Sequence, residues 1–294
     1  MKKLILAAAL AAVAAPALSQ APAPLPDADP AIWVVEDEDT KIYLFGTFHG
    51  LDGKRDWFND EVRTAFDASD EVVIEAILPE DPAAMAPLLM KYAVDASGRT
   101  LSSKLSADTR AKLEKELAAI GAPLAAVEAY KPFFVSMTLA AAKAVKMGIT
   151  PEHGAEAVLK KAAKASGKPL GEVENAEYQF ALFDKLPEAE QVASLAEGLD
   201  RMDEFAPLMT RMMAAWNEGD TDTFVTLMKE SDAQSPAVHK LIFTERNANW
   251  AEWIDARMDK PGTVFFAVGA GHLAGKGSVQ EFLAKKGIRA AEVE

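Results

Sequence analysis

The sequence predicts a mixed α/β domain whose sheet is drawn from both ends of the chain, with a large helical insertion between them. Three observations carry this expectation. Strand, helix and strand patterns follow one another over residues 31–77, the order of a βαβ unit with parallel strands. From Asp81 to about Met258 the composition turns to Ala, Leu, Met, Glu and Lys, all good helix formers. Thr263 to Val268 (TVFFAV) then returns as an apolar, β-rich run of buried-strand length.

The elements follow in order. Met1-Lys2-Lys3, an apolar run from Leu4 to Leu18 and small residues at Ala17 and Ser19 describe a cleaved signal peptide over residues 1–19. The apolar run falls short of the roughly 20 residues a bilayer-spanning helix needs. It also holds no cysteine to lipidate. Gln20 to Pro30 (QAPAPLPDADP) reads as an extended, Pro-rich leader. Residues 31–294 then form one domain. Ala31–Glu36 and Lys41–Phe45, joined by Asp37-Glu38-Asp39-Thr40, give a hairpin signal. Trp57 to Ser69 places Phe58, Val62, Ala65 and Phe66 at helical spacing, and Glu71 to Ile77 is a short apolar strand. The insertion, about 81–258, is cut by Gly98, Gly121-Ala122-Pro123, Gly148–Pro151, Gly167-Lys168-Pro169, Leu186-Pro187 and Gly219 into roughly seven to nine helices. Lys168 to Val173 holds room for one further short strand. Near the end, Ser278 is placed to N-cap a helix running to Lys286, and Ile288 to Val293 reads as an edge strand.

Composition narrows the function. Half of the residues are apolar, enough for a substantial core. The net charge of −14 becomes −16 once Lys2 and Lys3 leave with the signal. Such a surface repels phosphate backbones and anionic lipid heads, which argues against nucleic-acid or membrane-surface partners. With zero cysteines there are no disulfides, thiolate zinc sites or cysteine nucleophiles. After the leader the most apolar stretch, Phe133 to Val145, is short and flanked by Lys131 and Lys146. The expectation is therefore a periplasmic or secreted protein, free of the membrane after cleavage.

One short element recurs at opposite ends of the chain. Strand Lys41–Phe45 runs into Gly46-Thr47-Phe48-His49, and strand Thr263–Val268 runs into Gly269-Ala270-Gly271-His272. In each, a Gly after the strand permits a sharp turn or a close approach. The His three residues on is then lifted above the carboxyl edge, where open α/β sheets place ligands. If the two strands are parallel neighbours, both imidazoles converge. Glu75, straight after Val72-Val73-Ile74, reaches the same edge. Two His and a carboxylate from three strand ends suit a divalent cation with open positions for water and substrate. His153 and His239 lack this frame and read as solvated or structural. Competing motifs fail. Gly269-Ala270-Gly271 with Gly275-Lys276 misplaces the first glycine of a phosphate loop and puts Gly277 where a hydroxyl must be. A dinucleotide fingerprint lacks its last glycine and its βαβ unit, and there is neither a G-x-S-x-G nor an H-E-x-x-H.

Ile32 to Val35, followed by Ile42-Tyr43-Leu44-Phe45-Gly46-Thr47-Phe48-His49, resembles the opening of the TraB/GumN family, which includes the TIKI metalloproteases. Gly269 to His272 resembles the second Gly-x-x-His motif of that family. Gly154-Ala155-Glu156, Gly167-Lys168-Pro169 with Glu172-Val173-Glu174 and Gln179 to Phe183, and Thr244-Glu245-Arg246-Asn247 with Trp250 resemble its remaining blocks. The likeness runs from about residue 31 to 290. It implies a TIKI/erythromycin-esterase-like sheet and a peptidase that uses a divalent metal, with manganese or cobalt suggested and zinc open. It also implies a peptide or small exported protein as substrate. Carried over, His49 and His272 are metal ligands, Glu75 and Glu156 further acidic ligands, and Glu75 and Glu174 candidates for general base. Arg246 would pair with one of these carboxylates or with a tetrahedral oxyanion. The setting of Glu156, after Pro151-Glu152-His153, departs from the family pattern, and a helix-face carboxylate is by default solvated. Glu174 has the comparable alternative of a carboxylate favoured at a helix start. Two other classes stay open. One is a non-catalytic periplasmic metal- or haem-binding protein using the same two histidines. The other is a helical interaction protein indifferent to them.

Overall fold

A computed structural model describes residues 24–79, 81–231 and 236–293. The signal peptide expected at 1–19 and the leader residues 20–23 lie outside the described residues. The sheet takes β1 (Ile32–Glu36), β2 (Thr40–Thr47), β3 (Glu71–Ile74), β4 (Leu170–Glu172), β5 (Gly262–Gly269) and β6 (Ala291–Glu292), in the spatial order β4-β3-β5-β2-β1-β6. β4, β3, β5 and β2 run parallel, while β1 and β6 add antiparallel strands at one side. The strand of the C-terminal His motif is thus central, with β2 and β3 as its parallel neighbours. That adjacency is what convergence of the two histidines required.

One detail differs from the sequence reading and another bears it out. The strand expected over Glu71–Ile77 stops at Ile74, because from Glu75 onward the chain is held by the site. Glu75 O accepts from the Glu174 backbone N–H at 2.8 Å while its carboxylate turns toward Arg246. The insertion is also not purely helical. The short strand allowed for at 168–173 forms as β4 and pairs with β3, so the middle of the chain supplies a sheet edge.

α1 (Asp60–Ala68) links β2 to β3, and α2 (Pro82–Leu88) opens the insertion. There follow α3 (Ala107–Ala119), α4 (Pro132–Lys146), α5 (Ala155–Ser166), α6 (Ala176–Asp184), α7 (Glu188–Asp200), α8 (Phe205–Asn217) and α9 (Thr221–Ser231). α10 (Pro236–His239) passes through a π-helical turn, Lys240–Thr244, into α11 (Glu245–Met258), and α12 (Val279–Lys285) follows β5. Ser278 caps α12 through its hydroxyl, as the sequence suggested.

Alternation along the central strands sorts their side chains onto two faces. Phe45, Val72, Ile74, Phe265 and Ala267 pack against α1, α5, α8 and α9 through Phe66, Leu159, Trp216 and Leu227. Ile42, Leu44, Val73, Val264, Phe266 and Val268 pack against α11 and α12 through Trp250, Ile254, Val279 and Leu283. The result is a three-layer α/β/α arrangement. A separate cluster of Leu113, Leu117, Val135, Leu139, Leu195 and Leu199 joins α3, α4 and α7. Among the described residues no helix is long and apolar enough to cross a membrane.

Candidate active site

The site is built on Gly269, the last residue of β5. A Cβ there would lie 3.1 Å from Glu75 Oε1, 3.5 Å from His272 Cδ2 and 3.6 Å from His49 Nε2. The two imidazoles therefore stand within about 7 Å of each other, around one backbone position, although they come from opposite ends of the chain. Any side chain at 269 would fill the space between them. The Gly269 N–H also donates to Glu75 Oε1 at 2.6 Å, fixing the carboxylate over the sheet edge.

His49 sits on the loop after β2 with its side chain 74% exposed. Its Nδ1 is 2.6 Å from Glu156 Oε1, the same oxygen that accepts from Thr47 Oγ1 at 2.5 Å. Glu156 is in the first turn of α5, and this turn docks directly beneath the His loop. Ala155 N–H donates to Phe48 O at 3.0 Å, and a Cβ on Gly154 would collide with His49 O at 2.2 Å. Glu156 is therefore not the solvated helix-face residue of the default reading. It is His49's acceptor, 107 residues away in sequence. The Glu156 carboxylate raises the His49 imidazole above its ordinary range. With the ring so exposed, water screens part of that attraction.

His272 is buried at 5% exposure. Its ring lies between Phe243, at 5.0 Å between centroids, and Trp250, at 4.5 Å. Nδ1 is 2.6 Å from Asn247 Oδ1, and Asn247 Nδ2 donates to Gly277 O at 2.7 Å, which assigns the amide oxygen to the histidine. His272 Nδ1 is thus the donor, and Nε2 carries the lone pair that faces inward. Arg246 Nη1 lies 3.1 Å from that Nε2. Desolvation, with the nearby guanidinium, lowers the imidazole to about 3, so it is neutral at neutral pH.

Arg246, on α11, joins the remaining pieces. Nε and Nη2 donate to Glu174 Oε1 and Oε2, both at 2.8 Å, while Nη2 also donates to Glu75 Oε2 at 2.7 Å. Gln179 of α6 donates to Glu75 Oε2 at 3.2 Å and to Glu174 Oε2 at 3.1 Å. Glu174 therefore does not serve merely as a helix-start carboxylate; both its oxygens are bound by the guanidinium. Burial raises the Glu75 carboxyl, but the Arg246 guanidinium and the Gly269 N–H prevail and hold it below its ordinary range. Since His272 is neutral, the charge chiefly responsible is Arg246.

The residues singled out in sequence fall into two hydrogen-bonded groups on either side of Gly269, His49 with Glu156, and Glu75, Glu174, Arg246 and His272. His153 and His239 stay outside both and exposed. Thr47, Gln179 and Asn247 carry no signal of their own in the sequence, though each lies inside a block that resembles the family. The Gly269 N–H has no side-chain signal at all.

His49 Nε2, His272 Nε2 and Glu75 Oε1 fit a divalent cation in donor type. Each imidazole has its Nδ1 held by an oxygen acceptor, the support that ligating histidines ordinarily have. The three atoms do not yet share one coordination sphere. Among the described residues the group that does bring three such side chains within mutual reach is the exposed Asp27, Asp29 and Asp60.

An α/β/α domain with two histidines and a Glu–Arg–Glu network at the carboxyl edge of its sheet defines a class with a clear counterpart. The TraB/PrgY/gumN family model matches residues 31–291, and the chain belongs to that family. It is similar to the uncharacterized protein YbaP of Escherichia coli (strain K12) and to that of Shigella flexneri. Each is 33% identical over 150 residues, covering 51% of this chain and 54% of the relative. The chain thus spans about half the length of the curated relatives it matches. No solved structure matches it.

Proposed function

We propose that this chain is an exported hydrolase that cleaves an amide bond in a peptide or small exported protein, with a divalent cation held by His49, His272 and Glu75. The observation that carries the reading is the meeting of two Nδ1-anchored imidazoles and one ionised carboxylate around Gly269. When bound, such a cation lowers the pKa of a water molecule and polarises a carbonyl.

The protein's own groups have separable tasks. Glu156 and Thr47 fix His49 so that Nε2 faces the site, and Asn247 does the same for His272. Glu75 stays ionised because Arg246 and the Gly269 N–H hold it so. Glu174, with both oxygens committed to Arg246, acts as the anchor that aims the guanidinium. Arg246 in turn directs its N–H groups to Glu75, Glu174, His272 and Ile242 O, so its task is to hold these groups in place and keep Glu75 ionised.

One observation favours a second reading. Arg246 Nη1 already engages the His272 lone pair, while the His49–Glu156 pair has the form of a general-base dyad with Nε2 accessible. In that reading His49 takes the proton from water without a metal. The deciding experiment is peptide-library hydrolysis by protein stripped with a chelator and then reloaded with manganese, cobalt or zinc, alongside elemental analysis. Activity that disappears and returns with metal supports the first reading. Activity indifferent to chelation but lost in Glu156→Gln supports the second. Undiminished turnover in His49→Ala sinks both, and a haem absorption band with no cleavage would assign the site to ligand carriage instead.

A further inference from the structure

Beside the Glu174–Arg246 pair lies a cavity of about 460 Å³ for which the hydrolytic reading has no use. Its wall includes Glu172 and Glu174 from the end of β4, Tyr178 from α6, and Trp250 and Trp253 from α11. Of these, Glu172 is exposed and Trp253 half-buried, whereas Trp250 is buried and Glu174 is bound to Arg246, and neither lysine nor arginine lines the cavity.

The charges there do not cancel. Glu174 is matched by Arg246, but Arg246 also answers Glu75, so one guanidinium faces two carboxylates. Glu172 adds a third negative charge. One of its oxygens accepts from the Ile77 backbone N–H at 2.6 Å, a neutral contact that leaves the charge uncompensated. A cavity wall with this balance attracts a cation.

The rings are of the kind that receives one. Arg246 Cζ already stands 4.6 Å from the Trp250 centroid, and Lys185 Nζ stands 5.6 Å from that of Tyr178. Trp253, half-buried and stacked on Phe266 at 5.4 Å, has no such partner among the described residues. A carboxylate and an aromatic face in one recess together recognise an organic cation better than either alone.

We propose that this cavity receives a basic side chain of the substrate, with Glu172 supplying the counter-charge and Trp253 the aromatic face. The proposal rests on the hydrolytic reading for the word substrate. It deepens that reading by naming a lysine- or arginine-containing peptide as the preferred class. Continuity supports it. Glu174 belongs to both the cavity wall and the Arg246 network, so the cavity is separated from Glu75 by a single ion-paired guanidinium.

The test reads binding separately from turnover. Tryptophan emission of the full chain is titrated with Nα-acetyl-lysine methylamide, Nα-acetyl-norleucine methylamide and pentane-1,5-diamine. Saturable binding of the lysine compound is expected, about tenfold tighter than that of norleucine, the scale of one charge-assisted contact. Glu172→Gln, whose amide oxygen can still accept from Ile77, should erase that difference and leave hydrolysis of peptides without basic residues unchanged. Trp253→Phe should reduce the emission change. Equal affinity for lysine and norleucine compounds, or a preference that survives Glu172→Gln, overturns the proposal. Tighter binding of the diamine than of the lysine compound assigns the cavity to free amines and overturns it as well. Lysine binding without cleavage of any peptide would remove the hydrolytic reading alone. Cleavage indifferent to basic residues, with no lysine binding, would remove the cavity proposal alone.

Discussion

Every nitrogen of the Arg246 guanidinium has at least one acceptor, and two of the acceptors are buried carboxylates. A buried charge whose partner is deleted loses far more than the pair contributes by existing. Arg246→Met should therefore destabilise the fold by about 3–5 kcal/mol, measured by urea unfolding. The double variant Arg246→Met/Glu174→Gln should recover part of that loss, because one stranded charge has gone. If the single variant unfolds like the wild type, the network carries no structural weight. Glu156→Gln belongs to the other category, since its loss leaves the partly exposed His49 solvated. Stability should change little, while activity or metal affinity falls about 10- to 100-fold, the usual cost of losing a histidine's outer support. The unequal visibility of these residues in sequence follows from their contacts. His49, Glu75 and His272 could be picked out because each sits at a fixed offset from its own strand. Thr47, Gln179 and Asn247 could not, since their roles depend on partners 109, 104 and 25 residues away.

At the scale of elements, the strands were legible because alternation and β-branched content mark a buried sheet whatever its neighbours. Parallel pairing of β2 with β5 was only a condition in the sequence, since 222 residues separate Thr40 from Gly262, its partner in the sheet register. The π-helical turn before α11 had no sequence signal. It nevertheless places Phe243 against His272 and brings Ile242 O to Arg246 Nη1. Such turns often accompany functional sites. The segment that leads into α3 gives an element-scale prediction of another kind. Lys104 and Asp95 form an ion pair with side chains only 3% and 10% exposed, and Asp95 also accepts from Ser97. The hydrogen bond from Lys104 is the largest of the influences that hold the Asp95 carboxyl well below its ordinary range. A carboxyl whose pKa is lower in the folded state stabilises fully above its unfolded pKa, and that contribution fades as pH falls from there toward the folded value. Denaturation of wild type and Asp95→Asn should therefore show a stability gap that is constant near neutral pH and shrinks below about pH 4. A gap that does not change down to pH 2.5 would mean that Asp95 titrates normally.

For the molecule as a whole, the decisive feature is that the proposed ligands come from segments that are remote in sequence and adjacent in the sheet. His49 follows β2, Glu75 follows β3 and His272 follows β5, the strand to which both others pair in parallel. A cation gripped by all three would tie the N-terminal and C-terminal parts together, and those donors are scattered once the chain unfolds. An ion that binds only the folded state raises stability by RT ln(1 + [L]/Kd), about 2.7 kcal/mol at one hundred times Kd. For a chain of this size that corresponds to a rise in Tm of roughly 5–10 °C. Adding manganese, cobalt or zinc to chelator-treated protein should therefore raise Tm in a concentration-dependent way, and His49→Ala and His272→Ala should each remove most of the rise. Hydrogen exchange gives the location: added protection should gather at the carboxyl ends of β2, β3 and β5 and spare the α3–α4–α7 cluster, which shares no ligand with the site. The exposed Asp27, Asp29 and Asp60 group provides the internal control. A shift that persists in both histidine variants but vanishes in Asp60→Asn would move the ion to that surface, leaving the sheet edge to the metal-free dyad of His49 and Glu156.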